Sequence, residues 1–216
     1  MIKIENVEIT GMEAAIRGMR NPLNSWDKSD SYWTYIEDPT TGQRAKFEYF
    51  VGENDINLMK RLVKAGTDHG KFLRAINVSL DVTAPLYWWK EADTYKVGTV
   101  ANSCSTMHKI HAKEFTLDDF SHEHLTPLAL GCLEDTIDML NNYRADFSLT
   151  KTKEDWWQMI QLLPTSYNQK RTWYLNYQVL ANIYHSRKDH KLDEWRDFCS
   201  FIETLPYFNE LIKKGE

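Results

Sequence analysis

Alternating apolar and polar residues predict strands in the first half of the chain. Residues 2–9 alternate in this way and stop at Gly11, which predicts a strand, a turn and then a helix from Met12. Residues 75–83 alternate through Ile, Val, Leu and Val and run into Pro85. The second segment is therefore predicted to be a half-buried strand.

Turn residues and helical spacing organise the segment between these strands. Two aromatic, β-branched runs within residues 33–51 flank Asp-Pro-Thr-Thr-Gly at 38–42, which predicts a β-hairpin. After the hairpin, apolar residues recur on one helical face until Gly66. The pattern predicts a helix with Asn54 or Asp55 as its N-cap.

Helical periodicity dominates the second half. Apolar residues recur every three to five positions over residues 122–147, which predicts a long amphipathic helix with Pro127 in its first turn. We predict further helices over 154–163, 177–187 and 192–205, and a strand over 167–176. The order of elements predicts an α+β fold, as a single domain over residues 1–216.

Composition and charge restrict the function classes. The 216 residues are 42% hydrophobic and carry a net charge of -5, so no general field attracts nucleic acid. No apolar run is long enough for a membrane span, and the first residues predict a strand rather than a signal peptide. We expect a cytoplasmic protein with neither a nucleic-acid nor a membrane partner.

Cysteine and histidine spacing predicts no metal site. The three cysteines are far apart and are expected to be reduced thiols. His122 and His124 are two positions apart and do not share a helical face. Cys104 has no adjacent base in the sequence, so we expect a small loop residue there and not a catalytic nucleophile.

The segment 84–105 has the composition of a ligand pocket. It joins a strand end, the pair Trp88 and Trp89, a charged helical stretch and a small polar loop. The two tryptophans could stack on a planar ligand or belong to the core, and both interpretations stay open. The run 108–113 contributes two histidines and two lysines that could bind an anion or form a solvated face.

The order of these features resembles the flavin-dependent (thymidylate-synthase-complementing) thymidylate synthases. The resemblance covers roughly residues 11–206 and rests on the shared order and spacing of its elements. They are a helix over 58–66, His69, a strand ending in Ala84-Pro85, the turn Leu163-Pro164, Trp173, Asn176, Leu180, Asn182, Arg187, Asp189 and His190.

The resemblance implies a fold and a chemistry. The fold is a central antiparallel or mixed sheet with long helices, and the pockets are built between subunits of a homotetramer. The family binds FAD and a nucleotide, and it methylates dUMP with methylenetetrahydrofolate and NADPH. Carried over position by position, the cofactor contacts are His69, Lys96, Asn102, Asn176 and His190. The substrate contacts are Lys90, Ser105, Gln178 and Arg187, and no catalytic residue is assigned.

Several of these residues also have a structural interpretation. His69 follows a helix-ending glycine, where a capping role is common. Arg187 and His190 lie near a helix C-terminus, where the helix dipole favours cations. Asn176 and Gln178 carry amides, which suit a neutral ring edge better than a phosphate.

The chain departs from the family's Arg-His-Arg-x-x-Ser-x-Asn-x-x-Ser-x-Arg motif. Thr94-Tyr95-Lys96 stands where Arg-His-Arg is expected. One inserted residue aligns Asn102 and Ser105, but Met107 then replaces the last arginine. A further family arginine corresponds to Gln178. Each lost charge-assisted hydrogen bond removes about 1.5–3 kcal/mol, so ordinary dUMP methylation is not expected.

Two hypotheses follow for the function. The first is an FAD-dependent methyltransferase with an altered pyrimidine nucleotide substrate. The second is a non-catalytic homotetramer that binds a nucleotide, for sequestration or sensing. The depleted arginines fit either a changed ligand or lost chemistry, because fold does not determine function.

Overall fold

The α+β class is confirmed. The computed structural model describes residues 2–37, 40, 42 and 44–213, without the side chains of Ala45 and Lys46. The strands are β1 (Lys3–Thr10), β2 (Tyr32–Glu37), β3 (Arg44–Phe50), β4 (Asn77–Pro85), β5 (Val100–Ser103) and β6 (Asn168–Asn176). The α-helices are α1 (Met12–Arg20), α2 (Glu53–Lys64), α3 (Leu86–Ala92), α4 (Pro127–Thr150), α5 (Lys153–Leu162), α6 (Tyr177–Arg187), α7 (Asp193–Glu203) and α8 (Phe208–Leu211).

The strands of the described residues pair into two sheets. One sheet has the order β1-β4-β6-β5, and β2 pairs with β3 as an antiparallel hairpin. The predicted β4 is confirmed, because its alternating apolar side chains are buried from Ile76 to Val82. In the hairpin, Trp33 lies opposite Tyr49 and Tyr35 opposite Phe47. The predicted turn includes Asp38, Pro39 and Thr41, which lie outside the described residues.

The chain divides into two compact units. The first contains residues 80–173 and 191–197 with the start of β1 up to Val7. The second contains residues 8–79 and 174–190 with the chain from Phe198 onward. The single domain over residues 1–216 remains a prediction.

The first unit has two clusters of buried apolar side chains. One cluster lies on α4, α5 and the preceding segment, and its members are Ile110, Phe115, Phe120, Leu133, Ile137, Leu140 and Met159. The other contains four buried tryptophans, Trp88, Trp89, Trp173 and Trp195. Rings of this size bury 150–250 Å² each, so they contribute much of the unit's hydrophobic stabilisation.

In the second unit, α1 packs against α2 and against the 3₁₀ helix Gly70–Ala75. The turn into α1 requires glycine. Gly11 has φ +86°, and a Cβ built there would stand 2.0 Å from the Ala75 carbonyl oxygen. The predicted break at Gly11 therefore has a backbone cause, because other residues rarely adopt this φ and none has the space.

The predicted cap of α2 was wrong. The helix begins at Glu53. Its first amides are capped by a residue that is distant in the sequence: the Asp30 carboxylate accepts from the amides of Asn54 at 2.9 Å and Asp55 at 3.2 Å. The Asp55 side chain is buried, and its carboxylate accepts from Arg20 Nε at 2.6 Å. A cap supplied from 24 residues upstream leaves no local signature.

Two further features differ from prediction: the first residue of α4 and a strand in the small polar loop. The long helix α4 begins at Pro127 rather than His122, and the Thr126 side chain accepts from the Ala129 amide. Pro127 occupies the first turn, as predicted, because its missing N–H is not needed there. The small polar loop contains a strand, β5, at the edge of the four-stranded sheet. All four of its residues, Val-Ala-Asn-Ser, are exposed, so no alternation of buried and exposed positions indicates a strand.

Candidate ligand-binding site

The tryptophan pair of segment 84–105 belongs to the core. Trp88 and Trp89 lie on α3 and are 0% and 1% exposed. Their rings meet edge to face at 4.8 Å, and Trp89 Nε1 donates to the Gln169 carbonyl oxygen at 2.9 Å. The core interpretation left open above is therefore correct. The indole of Trp89 instead provides a surface for Arg171.

A polar pocket lies beside this core in the first unit. Its volume is about 300 Å³, and it is lined by Ala92, Asp93, Tyr95, Lys96, Thr99, Ala101, Arg171 and Trp173. Pockets of about this size and above are where small ligands bind. Lys96, a predicted cofactor contact, lies here with an exposed side chain.

Arg171 is the most constrained cation of the pocket. Its guanidinium carbon lies 4.3 Å from the centre of the Trp89 ring, which is cation–π geometry. Arg171 Nε donates to Gln169 Oε1 at 2.9 Å, and one terminal nitrogen donates to Asp93 Oδ1 at 2.8 Å. The Gln169 amide is itself held, because its Nε2 donates to the Cys104 carbonyl oxygen at 2.6 Å.

Sequence reasoning missed Arg171. It lies on β6 two residues before Trp173, in a position that the family motif does not mark. Its partner Asp93 is 78 residues away, at the end of α3. Only the charge of Arg171 itself was visible in the sequence.

The neighbouring cation on β6 is neutralised within the first unit. Lys170 Nζ lies 3.1 Å from Asp81 Oδ2 and 3.8 Å from Glu5 Oε2. Hydrogen bonds from Thr172, Asn6 and Lys170 lower the pKa of Asp81 to about 2. Lys170 is thus paired with carboxylates.

The other predicted contacts of the first unit surround the end of α3 and β5. Lys90 lies on α3 with an exposed side chain, and Asn102 lies exposed on β5. Ser105 closes a turn, because its Oγ accepts from the amides of Met107 at 3.2 Å and His108 at 2.9 Å. Cys104 is an exposed free thiol.

A second, mostly apolar cavity lies in the second unit. Its volume is about 610 Å³, and it is lined by Ala14, Ala15, Gly18, Met19, Pro22, Leu23, Leu62, Asp68, His69, Lys71, Phe72 and Ala75. His69 precedes the 3₁₀ helix Gly70–Ala75, and its exposed side chain is one of three charged or polar side chains in this lining. The cavity therefore combines apolar walls with a polar rim.

The remaining predicted residues lie on α6 and just after it. Asn176 caps α6, because its Oδ1 accepts from the Val179 amide at 3.0 Å. Gln178 Nε2 donates to Asn182 Oδ1 at 3.3 Å. Arg187 is the last residue of α6, and the His190 amide donates to the Arg187 carbonyl oxygen at 3.0 Å. In the second unit, α6 packs against the 3₁₀ helix that follows His69.

The predicted residues are thus distributed as two groups, one in each unit. Lys90, Lys96, Asn102 and Ser105 lie in the first unit. His69, Asn176, Gln178, Arg187 and His190 lie in the second. Lys96 and His69 line pockets, whereas the Asn176 oxygen is engaged in a helix cap.

Within the described residues, no group of three or more His, Cys, Asp or Glu side chains could hold a metal ion. No helix of the same described residues combines sufficient length with sufficient apolar character to cross a membrane.

Solved structures share this fold. Thymidylate synthase X from Helicobacter pylori, crystallised with FAD and dUMP, superposes with a TM-score of 0.67 at 16% identity, over 100% of this chain and 99% of that one. A second structure of the flavin-dependent thymidylate synthase from the same organism, complexed with FAD and dUMP, gives 0.67 and 16% over 98% of each chain. No family model and no curated protein sequence matches the chain. The likeness establishes the fold.

Proposed function

We propose that the protein binds FAD, a nucleotide or both, as a diverged flavin-dependent thymidylate synthase-like protein. The observation that carries the proposal is the similarity of fold over 100% of this chain to a synthase crystallised with FAD and dUMP. In its catalytic form, the protein transfers a one-carbon unit from methylenetetrahydrofolate to a pyrimidine nucleotide other than dUMP. NADPH is then the reductant.

The lining of the cavity beside His69 suits two parts of an FAD molecule, the flavin ring and the pyrophosphate. A flavin ring needs an apolar slot with a few polar groups at its edge, and the cavity beside His69 has this character. A pyrophosphate needs cations, and Lys71 supplies one in the lining of the same cavity. When bound, the flavin supplies the redox chemistry, while the protein binds and orients it.

The proposed ligand contacts keep the roles given by the resemblance. The cofactor contacts are His69, Lys96, Asn102, Asn176 and His190. The nucleotide contacts are Lys90, Ser105, Gln178 and Arg187. The Asn176 oxygen is used by the α6 cap, so its contact with a ligand is proposed for the amide nitrogen.

One observation favours the second candidate, a nucleotide-binding protein without catalysis. Two arginine positions of the family's loop motif are occupied by Thr94 and Met107, and the cations nearby on β6 are engaged by carboxylates: Arg171 by Asp93 and Lys170 by Asp81. Such pairs weaken the attraction for a phosphate, because the carboxylate competes for the same cation. A protein that only binds and senses a nucleotide tolerates this loss more easily than a synthase.

In both forms we propose a cytoplasmic homotetramer with pockets between subunits. Exposed aromatic residues of the hairpin support the assembly: Tyr32, Trp33, Tyr35, Phe47 and Phe50 are 47–55% exposed. Exposed apolar patches commonly mark protein contacts, and a two-stranded hairpin in water is marginally stable by itself. Contact with another subunit would cover it.

Flavin binding separates the two forms of the proposal. Purified protein titrated with FAD should show a flavin absorbance band that bleaches on adding NADPH. Bleaching supports the catalytic form, and bound nucleotide without flavin supports the binding form. A protein that takes up no FAD, and whose melting temperature no nucleotide raises, contradicts both forms.

Cell rescue tests ordinary synthase activity directly. We expect that the gene does not rescue a thymidine-requiring cell, because this sequence lacks the arginines with which the family motif binds phosphate. His69→Ala should weaken FAD binding, whereas Lys64→Ala on the exposed surface of α2 should leave it unchanged. Equal affinity in both variants would remove His69 from the site.

A further inference from the structure

Arg171 is prepared for an anion that accepts two hydrogen bonds from its guanidinium. Its guanidinium is held on one face by the Trp89 ring at 4.3 Å and oriented at Nε by Gln169 at 2.9 Å. Its side chain is 13% exposed. A guanidinium fork fixed in this way loses little further conformational freedom when it binds a carboxylate or phosphate.

The Asp93 carboxylate, which pairs with Arg171, is placed so that a ligand anion can displace it. Asp93 follows α3 and its side chain is 55% exposed. An ion pair with one solvated partner contributes about 0.2–1 kcal/mol, so a doubly charged phosphate can displace the carboxylate. The guanidinium itself is held by Trp89 and Gln169 and need not move.

The same pocket carries further groups that suit an anion. Lys96 and Thr99 line it together with Arg171. Within the described part of the chain, the Lys96 ammonium forms no ion pair within 4.0 Å. An anion at Arg171 therefore has a second cation, Lys96, in the same lining, whereas the Thr99 hydroxyl donates to the Tyr95 carbonyl oxygen.

We infer that Arg171 is a phosphate-binding residue and that Asp93 is an internal competitor which occupies it until a ligand phosphate arrives. The ligand class is a phosphate monoester or pyrophosphate of a nucleotide. The inference deepens the proposed function and rests on it, since the pocket belongs to the segment that carries the resemblance. It also gives a reason why the chain can bind a phosphate without the family's arginines.

Isothermal titration with inorganic pyrophosphate and with uridine monophosphate tests the site in the full-length protein. Arg171→Gln should weaken binding about 10- to 100-fold, because charge-assisted hydrogen bonds are lost. Asp93→Asn should strengthen it by about 3-fold, because the competing carboxylate is neutralised. Arg171→Lys, which retains the charge but not the fork, should lie between wild type and Arg171→Gln.

Matched controls separate the site from net charge. Arg61→Gln on α2 and Asp118→Asn in the 3₁₀ helix Leu117–Asp119 make the same charge changes at exposed positions. They should change the affinity by less than about 2-fold, as expected for exposed charges that do not line the pocket. In the double variant Asp93→Asn with Arg171→Gln, the gain from Asp93→Asn should disappear.

Two pairs of ligands, which differ in their phosphate groups, show which phosphate the site binds. Tighter binding of uridine monophosphate than of uridine, lost in Arg171→Gln, assigns the site to a nucleotide phosphate. Tighter binding of FAD than of riboflavin, lost in the same variant, assigns it to the dinucleotide pyrophosphate. If inorganic pyrophosphate and both ligand pairs all bind independently of Arg171, or if Asp93→Asn and Asp118→Asn behave alike, the inference is overturned.

This result is distinguishable from failure of the proposed function. If FAD or uridine monophosphate binds, but every phosphate ligand binds equally to wild type and Arg171→Gln, the proposed function survives and the inference fails. If pyrophosphate binding depends on Arg171 while neither flavin nor nucleotide binds, the inference survives as an anion site and the proposed function fails. Because Arg171 stacks on a core indole, a melting curve for each variant confirms that the native state is present.

Discussion

Single side chains have different roles when seen in the structure. Asn176 stands where the resemblance implies a cofactor contact, yet its oxygen caps α6. Trp88 and Trp89 stand in the pocket segment, yet they are core residues. Side-chain identity alone does not separate these roles, because amides and indoles serve in both.

Two substitutions separate the roles of Asn176. Asn176→Ala should lower the free energy of unfolding by about 1 kcal/mol, since a helix N-cap is lost. Asn176→Asp retains the acceptor and should keep stability, but it removes the amide nitrogen proposed to contact FAD. Urea unfolding measures the first effect and FAD titration the second. Unchanged FAD affinity in stable Asn176→Asp would leave only the structural role.

Thiol reactivity should follow burial. Burial raises the pKa of the Cys199 thiol to about 12, and the negative charge of Glu203 adds to the shift. At a mildly alkaline pH, below this value, the thiol therefore remains protonated. Cys104 and Cys132 are exposed.

A thiol reagent such as DTNB should accordingly modify Cys104 and Cys132 in the native protein at pH ~8, and Cys199 only after unfolding. Cys104→Ser and Cys132→Ser should each remove one native equivalent. Rapid modification of a third thiol in the native protein would contradict the burial of Cys199. A Cys199→Ser variant identifies that thiol.

At the scale of elements, ion pairs and caps decide how the segments connect. In the second unit, burial by itself would raise the pKa of Asp55, but hydrogen bonds from Ser31, Ser29 and Arg20 outweigh it and lower the pKa. The Arg20 guanidinium also donates to the Ser25 carbonyl oxygen at 3.0 Å. One carboxylate therefore ties α2 to the end of α1 and to the residues before the hairpin.

Removing the Asp55 carboxylate should lower the free energy of unfolding substantially. Asp55→Ala leaves Arg20 buried without its partner, so we expect a loss of about 3–5 kcal/mol in the free energy of unfolding. Asn54→Ala, at the adjacent exposed position of α2, should change it by less than about 0.5 kcal/mol. Equal, small effects in urea titrations would show that the ion pair is not stabilising.

At the scale of the whole molecule, the exposed hairpin bears on assembly. The Trp33 and Phe47 rings are stacked at 5.0 Å and are both about half exposed. Contact with another subunit would bury them. A charge introduced here should therefore weaken the proposed homotetramer.

Light scattering measures this effect. Wild type should have a mass of four chains of 25.5 kDa, and Trp33→Glu should shift it to smaller species with unchanged far-UV circular dichroism. Leu149→Glu, on the exposed surface of α4, is the control and should keep the wild-type mass. A wild-type monomer would contradict the tetramer.

Most helices and strands of this fold could be predicted from the sequence. Alternation predicted β4, helical spacing predicted α2 and α6, and Gly11 marked the turn into α1. These signals are local, because strand and helix periods are read over a few residues. The resemblance to the flavin-dependent synthases also came from the order of such elements, and the shared fold agrees with it.

The contacts between distant residues are visible only in the folded chain. Arg171 and Asp93 are 78 residues apart and Arg20 and Asp55 are 35 apart, so no local pattern joins them. The same holds for Asp30, which caps α2 from 24 positions away. The physical reason is that periodicity reports which side of an element is buried, while a pocket or ion pair depends on which elements that side meets.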